Sequence, residues 1–151
     1  LKTETKVRLI KHVDFLQKEL EDFAHFRFLA WKEYVDERNK RRNVERWVEN
    51  IINSSIDIAK ILLGAENLSI PDTYREAVLS LSLISIFEKD KMEKLSRWVR
   101  LRNVISHEYL DIKWDSIKKF VKEAEPEYIT FLATVKKYLR DNQTSTEEES
   151  A

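Results

Sequence analysis

Trp47-Val48-Glu49-Asn50-Ile51-Ile52-Asn53-Ser54-Ser55-Ile56-Asp57-Ile58-Ala59-Lys60-Ile61-Leu62-Leu63 carries apolar residues around most of a helical circumference. A helix that is apolar on most sides belongs at the buried centre of a bundle. Gly64 follows at once, where a left-handed C-terminal cap is expected. Upstream, from Trp31 to Arg46, the same pattern is amphipathic and heavily charged. The spacing therefore predicts one long central helix from about Trp31 to Leu63.

Other helices read outward from this one. Ile10, Val13, Leu16, Leu20 and Phe23 recur at helical spacing and predict a first helix from about Glu4 to Phe23. Thr73 with Glu76 three residues later reads as a capping box, opening a helix to about Leu83. A further helix is predicted from about Asp90 to Ser106 or His107. A last one runs from Trp114 or Asp115 to about Arg140, broken near Glu125 by Pro126. The whole chain has 1 Gly and 2 Pro, too few for the tight turns of a β fold. The expected fold is all-α, an antiparallel bundle of four to five helices forming one domain over residues 1–140. The polar stretch 141–151, with Glu147-Glu148-Glu149, is expected to be a disordered tail.

Composition narrows the chemistry. Lys+Arg and Asp+Glu both number 27, so no global basic field points to nucleic acid, although a local patch can. Without Cys there is no disulfide, thiolate nucleophile or Cys-based zinc site. The 3 His (His12, His25 and His107) lie far apart in sequence, and no metal or other cofactor is expected. No apolar run approaches the roughly 20 residues of a membrane span. The opening Leu1-Lys2-Thr3-Glu4 lacks the apolar core of a signal peptide, so a cytoplasmic location without membrane contact is expected.

One stretch stands out as an active site: Arg102-Asn103-Val104-Ile105-Ser106-His107-Glu108-Tyr109. On a continuous helix Trp98, Leu101 and Ile105 form the core stripe. Asn103 then falls roughly 200° and His107 roughly 240° from Leu101. Met92 and Val99 share that far side, which suggests a second contact surface for a symmetry-related partner. Lys89, Lys91, Lys94, Arg97, Arg100 and Arg102 oppose only Asp90 and Glu93 between residues 89 and 102. Lys94, Arg97 and Arg100 are the residues expected to hold RNA or phosphate.

Arg102-x-x-x-x-His107-x-Tyr109, with the polar Asn103 after the Arg, resembles the signature of HEPN domains. The surrounding segments resemble the HepT-like branch. They are Arg41-Arg42-Asn43-Val44-Glu45-Arg46, Ser55-Ile56-Asp57-Ile58-Ala59-Lys60 and Pro71-Asp72-Thr73-Tyr74-Arg75-Glu76. The likeness covers about residues 5 to 140. It implies a homodimer with two motifs facing across the two-fold axis, and metal-independent RNA cleavage by the toxin of a toxin–antitoxin pair. It also implies a nucleotidyltransferase antitoxin that transfers AMP to the motif tyrosine, Tyr109 here. Arg102 and His107 would be catalytic, and Asn103 and Tyr109 supporting.

That chemistry suits the side chains. Imidazole can take or give a proton near neutral pH. Guanidinium forks onto phosphate oxygens. One His cannot conveniently serve both sides of a phosphate, whereas a two-fold dimer supplies a second copy. Tyr109 could hydrogen-bond phosphate or stack on a base.

Without the resemblance, plainer readings stand beside these. His107 reads as a helix C-terminal cation favoured by the dipole. Arg102 reads as the partner of Glu108 or of an acid on another helix, and Asn103 as a side chain that orients the His107 ring or satisfies a backbone group. Asp57, interrupting an apolar helix, is expected to be a buried and paired acid, with Arg102 as one partner. The charged run Asp36 to Arg46 reads as a solvated face. Trp31, Trp47, Trp98 and Trp114 read as core or dimer anchors, and His12 and His25 as surface or interface residues. A non-catalytic nucleotide-binding or accessory subunit that docks a nucleotidyltransferase remains the alternative to the nuclease.

Overall fold

The protein is described here over residues 1–143 by a computed structural model. Its α-helices are α1 (Thr3–Glu21), α2 (Phe23–Phe26), α3 (Trp31–Asp36), α4 (Arg38–Ala65), α5 (Tyr74–Ser80), α6 (Lys89–Arg97), α7 (Leu101–His107), α8 (Leu110–Glu123) and α9 (Glu125–Asp141). Three-residue 3-10 turns follow α5 (Leu81–Leu83) and join α6 to α7 (Trp98–Arg100). Among the described residues there is no strand. The expected all-α bundle is present. Its body is α1, α4, the composite α6–α7 rod, α8 and α9, with the short helices as connectors. No helix of the described residues is long and apolar enough to cross a membrane. Of the polar tail expected at 141–151, Asp141 still belongs to α9, and residues 144–151 lie outside the described residues.

α4 is the central helix. Val44, Trp47, Val48, Ile51, Ile52, Ile58, Ala59, Leu62 and Leu63 are all buried on it. α1 runs antiparallel to it: Trp47 Nε1 donates to the Glu19 carbonyl at 2.7 Å, and Ser54 Oγ to the His12 carbonyl at 3.4 Å. α1 buries Leu9, Val13, Leu16 and Leu20. Ile10, expected in that stripe, is instead exposed, and Leu9 takes its place. Phe23, Phe26, Trp47, Trp98, Phe120 and Tyr128 join in one aromatic cluster, with centroids 4.7–5.9 Å apart.

Four expectations need correction. The central helix is not continuous from Trp31. The backbone is extended at Glu37 (φ −107, ψ 94), separating α3 from α4. The break turns α3 back so that buried Tyr34 donates to Glu45 at 2.7 Å and packs on Trp114, 5.2 Å between centroids. Arg41 then donates to the Tyr34 and Val35 carbonyls that the helix end leaves open.

The cap after α4 is not made by Gly64. Asn67 holds the left-handed conformation (φ 56), Asn67 N–H donates to the Gly64 carbonyl, and Leu68 N–H donates to Leu63 at 2.9 Å. This is a Schellman closure one turn later than expected, with Asn in place of Gly.

The composite rod is not one regular α-helix. Three residues of 3-10 helix turn about 120° each instead of 100°, so the phase advances by about 60°. Met92 and Val99, expected on the far face, are therefore brought into the core, 4% and 8% exposed. They offer no second apolar surface.

Finally, α8 opens at Leu110, one turn before the expected start. Pro126 lies in the first turn of α9, and Ala124 separates α8 from α9, close to the expected break.

Candidate active site

The motif sits at the end of α7. Leu101 and Ile105 are buried and fix the helix to the core. His107 is the last helical residue, and the Glu108 N–H donates to the Val104 carbonyl at 3.0 Å. Glu108 and Tyr109 are extended, and Tyr109 occupies the N-cap position of α8. Asn103 and His107 are exposed, and Tyr109 is 81% exposed. Ser106 Oγ folds back onto the Arg102 carbonyl at 2.9 Å.

Arg102 is different. It is half-buried, and its guanidinium lies over the ring of Tyr74 at 4.5 Å from the centroid. The Lys60 ammonium lies over the same ring at 4.7 Å. Tyr74 is the first residue of α5, held there by the Thr73 cap, whose Oγ1 accepts from Glu76 N–H at 3.2 Å. The Thr73 signal was visible in the sequence. What Tyr74 touches was not, because Lys60 and Arg102 come from two other helices.

Asp57 does not anchor Arg102. It is exposed, and among the described residues it makes no ion pair. The apolar run places Ile56 and Ile58 inward and leaves Asp57 on the remaining solvent strip of α4. Arg102 likewise has no carboxylate within ion-pair distance among the described residues.

Lys94, Arg97 and Arg100, named from sequence, line one cleft of about 330 Å³. Arg75 and Lys119 also line it, and the sequence did not single them out because they come from α5 and α8. Glu123 and Glu127 are its acids, and Glu127 is engaged by Trp98 Nε1 at 2.5 Å. Val104 forms part of the wall. On α7, His107 lies about 60° from Val104, on the cleft flank. Arg102 lies about 140° from His107, on the Tyr74 flank. The chain thus presents its guanidinium and its imidazole on different flanks of a short helix. No hydrogen bond joins Arg102, Asn103, His107 or Tyr109 side chains to one another among the described residues.

Among the described residues, no group of three or more His, Asp or Glu is close enough to hold a metal ion. Trp47 is buried, Trp98 and Trp114 are half-buried, and Trp31 is partly exposed beside Trp114. His25 packs edge-on against Phe26, and His12 faces a separate cavity between α1 and α4.

The fold has counterparts among solved structures of toxin–antitoxin proteins. One is a tri-AMPylated Shewanella oneidensis HEPN toxin in complex with an MNT antitoxin. It is 17% identical over 85% of this chain and 96% of that one, with a TM-score of 0.73. A toxin–antitoxin with AMP-PNP matches at 17% identity over the same shares, with a TM-score of 0.72. A tyrosine-to-alanine mutant of the MntA–HpeT toxin–antitoxin matches at 16% identity, again over 85% and 96%, with a TM-score of 0.73. No curated protein sequence matches the chain significantly. The sequence profile described as "Ribonuclease HepT-like" covers residues 16–135. The chain belongs to the HepT-like family.

Proposed function

We propose that the protein is a metal-independent endoribonuclease, the toxin of a toxin–antitoxin pair, working as a cytoplasmic homodimer. The observation that carries this reading is the intact Arg102-Asn103-x-x-x-His107-x-Tyr109 motif on an exposed helix end beside a cleft lined by Lys94, Arg97 and Arg100. Family membership supports it. The separation of Arg102 from His107 on one α7 supports a composite site. A two-fold partner would set the imidazole of one protomer against the guanidinium of the other.

In this mechanism one His107 takes the proton of a ribose 2′-hydroxyl. The 2′-oxygen attacks the adjacent phosphorus, and the bond from phosphorus to the 5′-oxygen breaks. The second His107 protonates the departing 5′-oxygen. Arg102, held by Tyr74, neutralises charge on the equatorial oxygens, and Asn103 orients an imidazole. The products are a 2′,3′-cyclic phosphate and a 5′-hydroxyl, and no metal ion enters the balance.

The test is cleavage of single-stranded RNA in EDTA by wild type, Arg102→Ala and His107→Ala, with dimer mass measured by light scattering. Loss of cleavage in both variants with the dimer retained is expected. Cleavage by His107→Ala at the wild-type rate would refute the assignment. A dimer that never cleaves RNA but binds a nucleotidyltransferase would instead make it an accessory subunit.

Tyr109, 81% exposed beside the motif, is the proposed AMP acceptor for a nucleotidyltransferase antitoxin. The attached phosphate would repel RNA from the basic surface. Intact mass after incubation with ATP and such an enzyme checks this. An equal gain on Tyr109→Phe would exclude the site.

A further inference from the structure

A cavity of about 820 Å³ opens between the N-terminal half of α1 and the C-terminal half of α4. Lys2, Arg8 and Lys60 line it against Asp57, with His12 beside them. This is an excess of two positive charges in a chain with none overall. Acids are plentiful in this sequence, yet neither Arg8 nor Lys60 has a carboxylate within ion-pair distance among the described residues. Unpaired cations gathered around a concavity favour an anionic ligand.

Lys60 connects this cavity to the motif. Its ammonium lines the cavity and also lies over the Tyr74 ring that carries Arg102. The Lys60 and Arg102 charges are therefore no more than about 9 Å apart, a span that successive phosphates of one strand can bridge. On the other flank of α7 lies the Lys94–Arg97–Arg100 cleft. The exposed Asn103 and His107 face lies between the two.

We infer that the α1–α4 cavity is a phosphate subsite for the RNA strand, extending the binding path from Arg102 across Tyr74 to Lys60 and Arg8. The inference rests on the RNA-cleaving reading for its ligand, but it concerns binding away from the scissile bond. The Tyr74 ring touches both charges and so links the Arg102 and Lys60 positions. Single-stranded RNA suits such a path because its phosphates recur while its bases remain free to stack.

The experiment measures anisotropy of labelled single-stranded RNA, 5 and 20 nucleotides long, in a KCl series. It uses His107→Ala as the non-cleaving background and adds Arg8→Ala or Lys60→Gln to it. Arg8→Ala should weaken the 20-mer about fivefold and reduce the salt slope by about 0.7, the value for one lost single-strand phosphate contact. The 5-mer, seated on the motif, should lose less than twofold with Arg8→Ala. Lys60→Gln should weaken both RNAs, because it also touches Tyr74. Unchanged 20-mer affinity and slope in Arg8→Ala, with an unchanged circular dichroism spectrum, would overturn the subsite. So would Arg8-dependent binding of free AMP without Arg8-dependent binding of the 20-mer. Should the wild type fail to cleave RNA while the Arg8-dependent step in 20-mer binding persists, the subsite stands and the nuclease reading falls.

Discussion

The guanidinium of Arg102 rests 4.5 Å from the centre of the Tyr74 ring, and this contact sets where the motif's permanent charge points. A cation–π pair at a half-exposed site contributes about 0.5–1 kcal/mol. On the proposed nuclease reading, Tyr74→Leu should therefore lower the RNA-cleavage rate by about two- to fivefold at an unchanged fold. Tyr74→Phe keeps the ring face and should stay close to wild type. Equal losses in both variants would show that the hydroxyl matters and the ring does not.

Val99 and Met92 are core residues, so charge at Val99 should unfold the chain. A buried, unpaired carboxylate costs several kcal/mol, and Val99→Asp should lose its cooperative urea transition. A folded but monomeric Val99→Asp would return that side chain to a partner interface.

Gly64 sits inside α4, and a Cβ there would meet nothing within 4 Å. Gly64→Ala should raise stability by about 0.5–1 kcal/mol, the helix-propensity difference. Asn67 is the left-handed residue (φ 56), and Asn67→Val should lower stability by about 1–2 kcal/mol. Urea unfolding midpoints check both, and opposite signs are expected.

Tyr128 is fully buried, and its hydroxyl lacks a well-aligned hydrogen-bond partner; the neighbouring Ser55 donates its own proton to Ile52 at 2.7 Å. Tyr128→Phe should be neutral or stabilising by up to about 1 kcal/mol. Tyr138 differs, since its hydroxyl donates to Glu66 at 2.6 Å. Tyr138→Phe should cost about 1 kcal/mol.

Burial pushes the phenols of Tyr34, Tyr128 and Tyr138 well above the ordinary range, with Glu45 and Glu66 adding to the shift at Tyr34 and Tyr138. A raised folded-state pKa gives stability that is complete below the unfolded value near 10 and fades as pH rises past it. The chain should therefore unfold in alkali. Three of its 5 tyrosines should ionise only with that transition, read as absorbance near 295 nm. Full phenolate absorbance before loss of the helical signal would contradict this.

Legibility in the sequence followed how local each signal was. The apolar circumference of α4, the Thr73 cap and the Pro126 break are short-range features, and all three appear in the structure. The Glu37 break was hidden because it is stabilised by contacts across it, Tyr34 to Glu45 and Arg41 to the α3 carbonyls. The burial of Val99 and Met92 was missed because a uniform 100° step hid the tighter turn at Trp98–Arg100. Arg102, Asn103, His107 and Tyr109 were legible as a linear string. Tyr74, Lys60, Arg75 and Lys119 were not, because tertiary packing alone brings them beside that string.

The tight turn at Trp98–Arg100 sets, by backbone twist, the angle at which the motif leaves the rod. Relaxing those three residues to ordinary α-helix would keep every motif residue and swing Asn103 and His107 by about 60° relative to the part of the rod before the turn. Loss of one residue there would rotate them by a full helical step. Among homologues, length changes should therefore collect in the loops that flank this rod and avoid the rod itself.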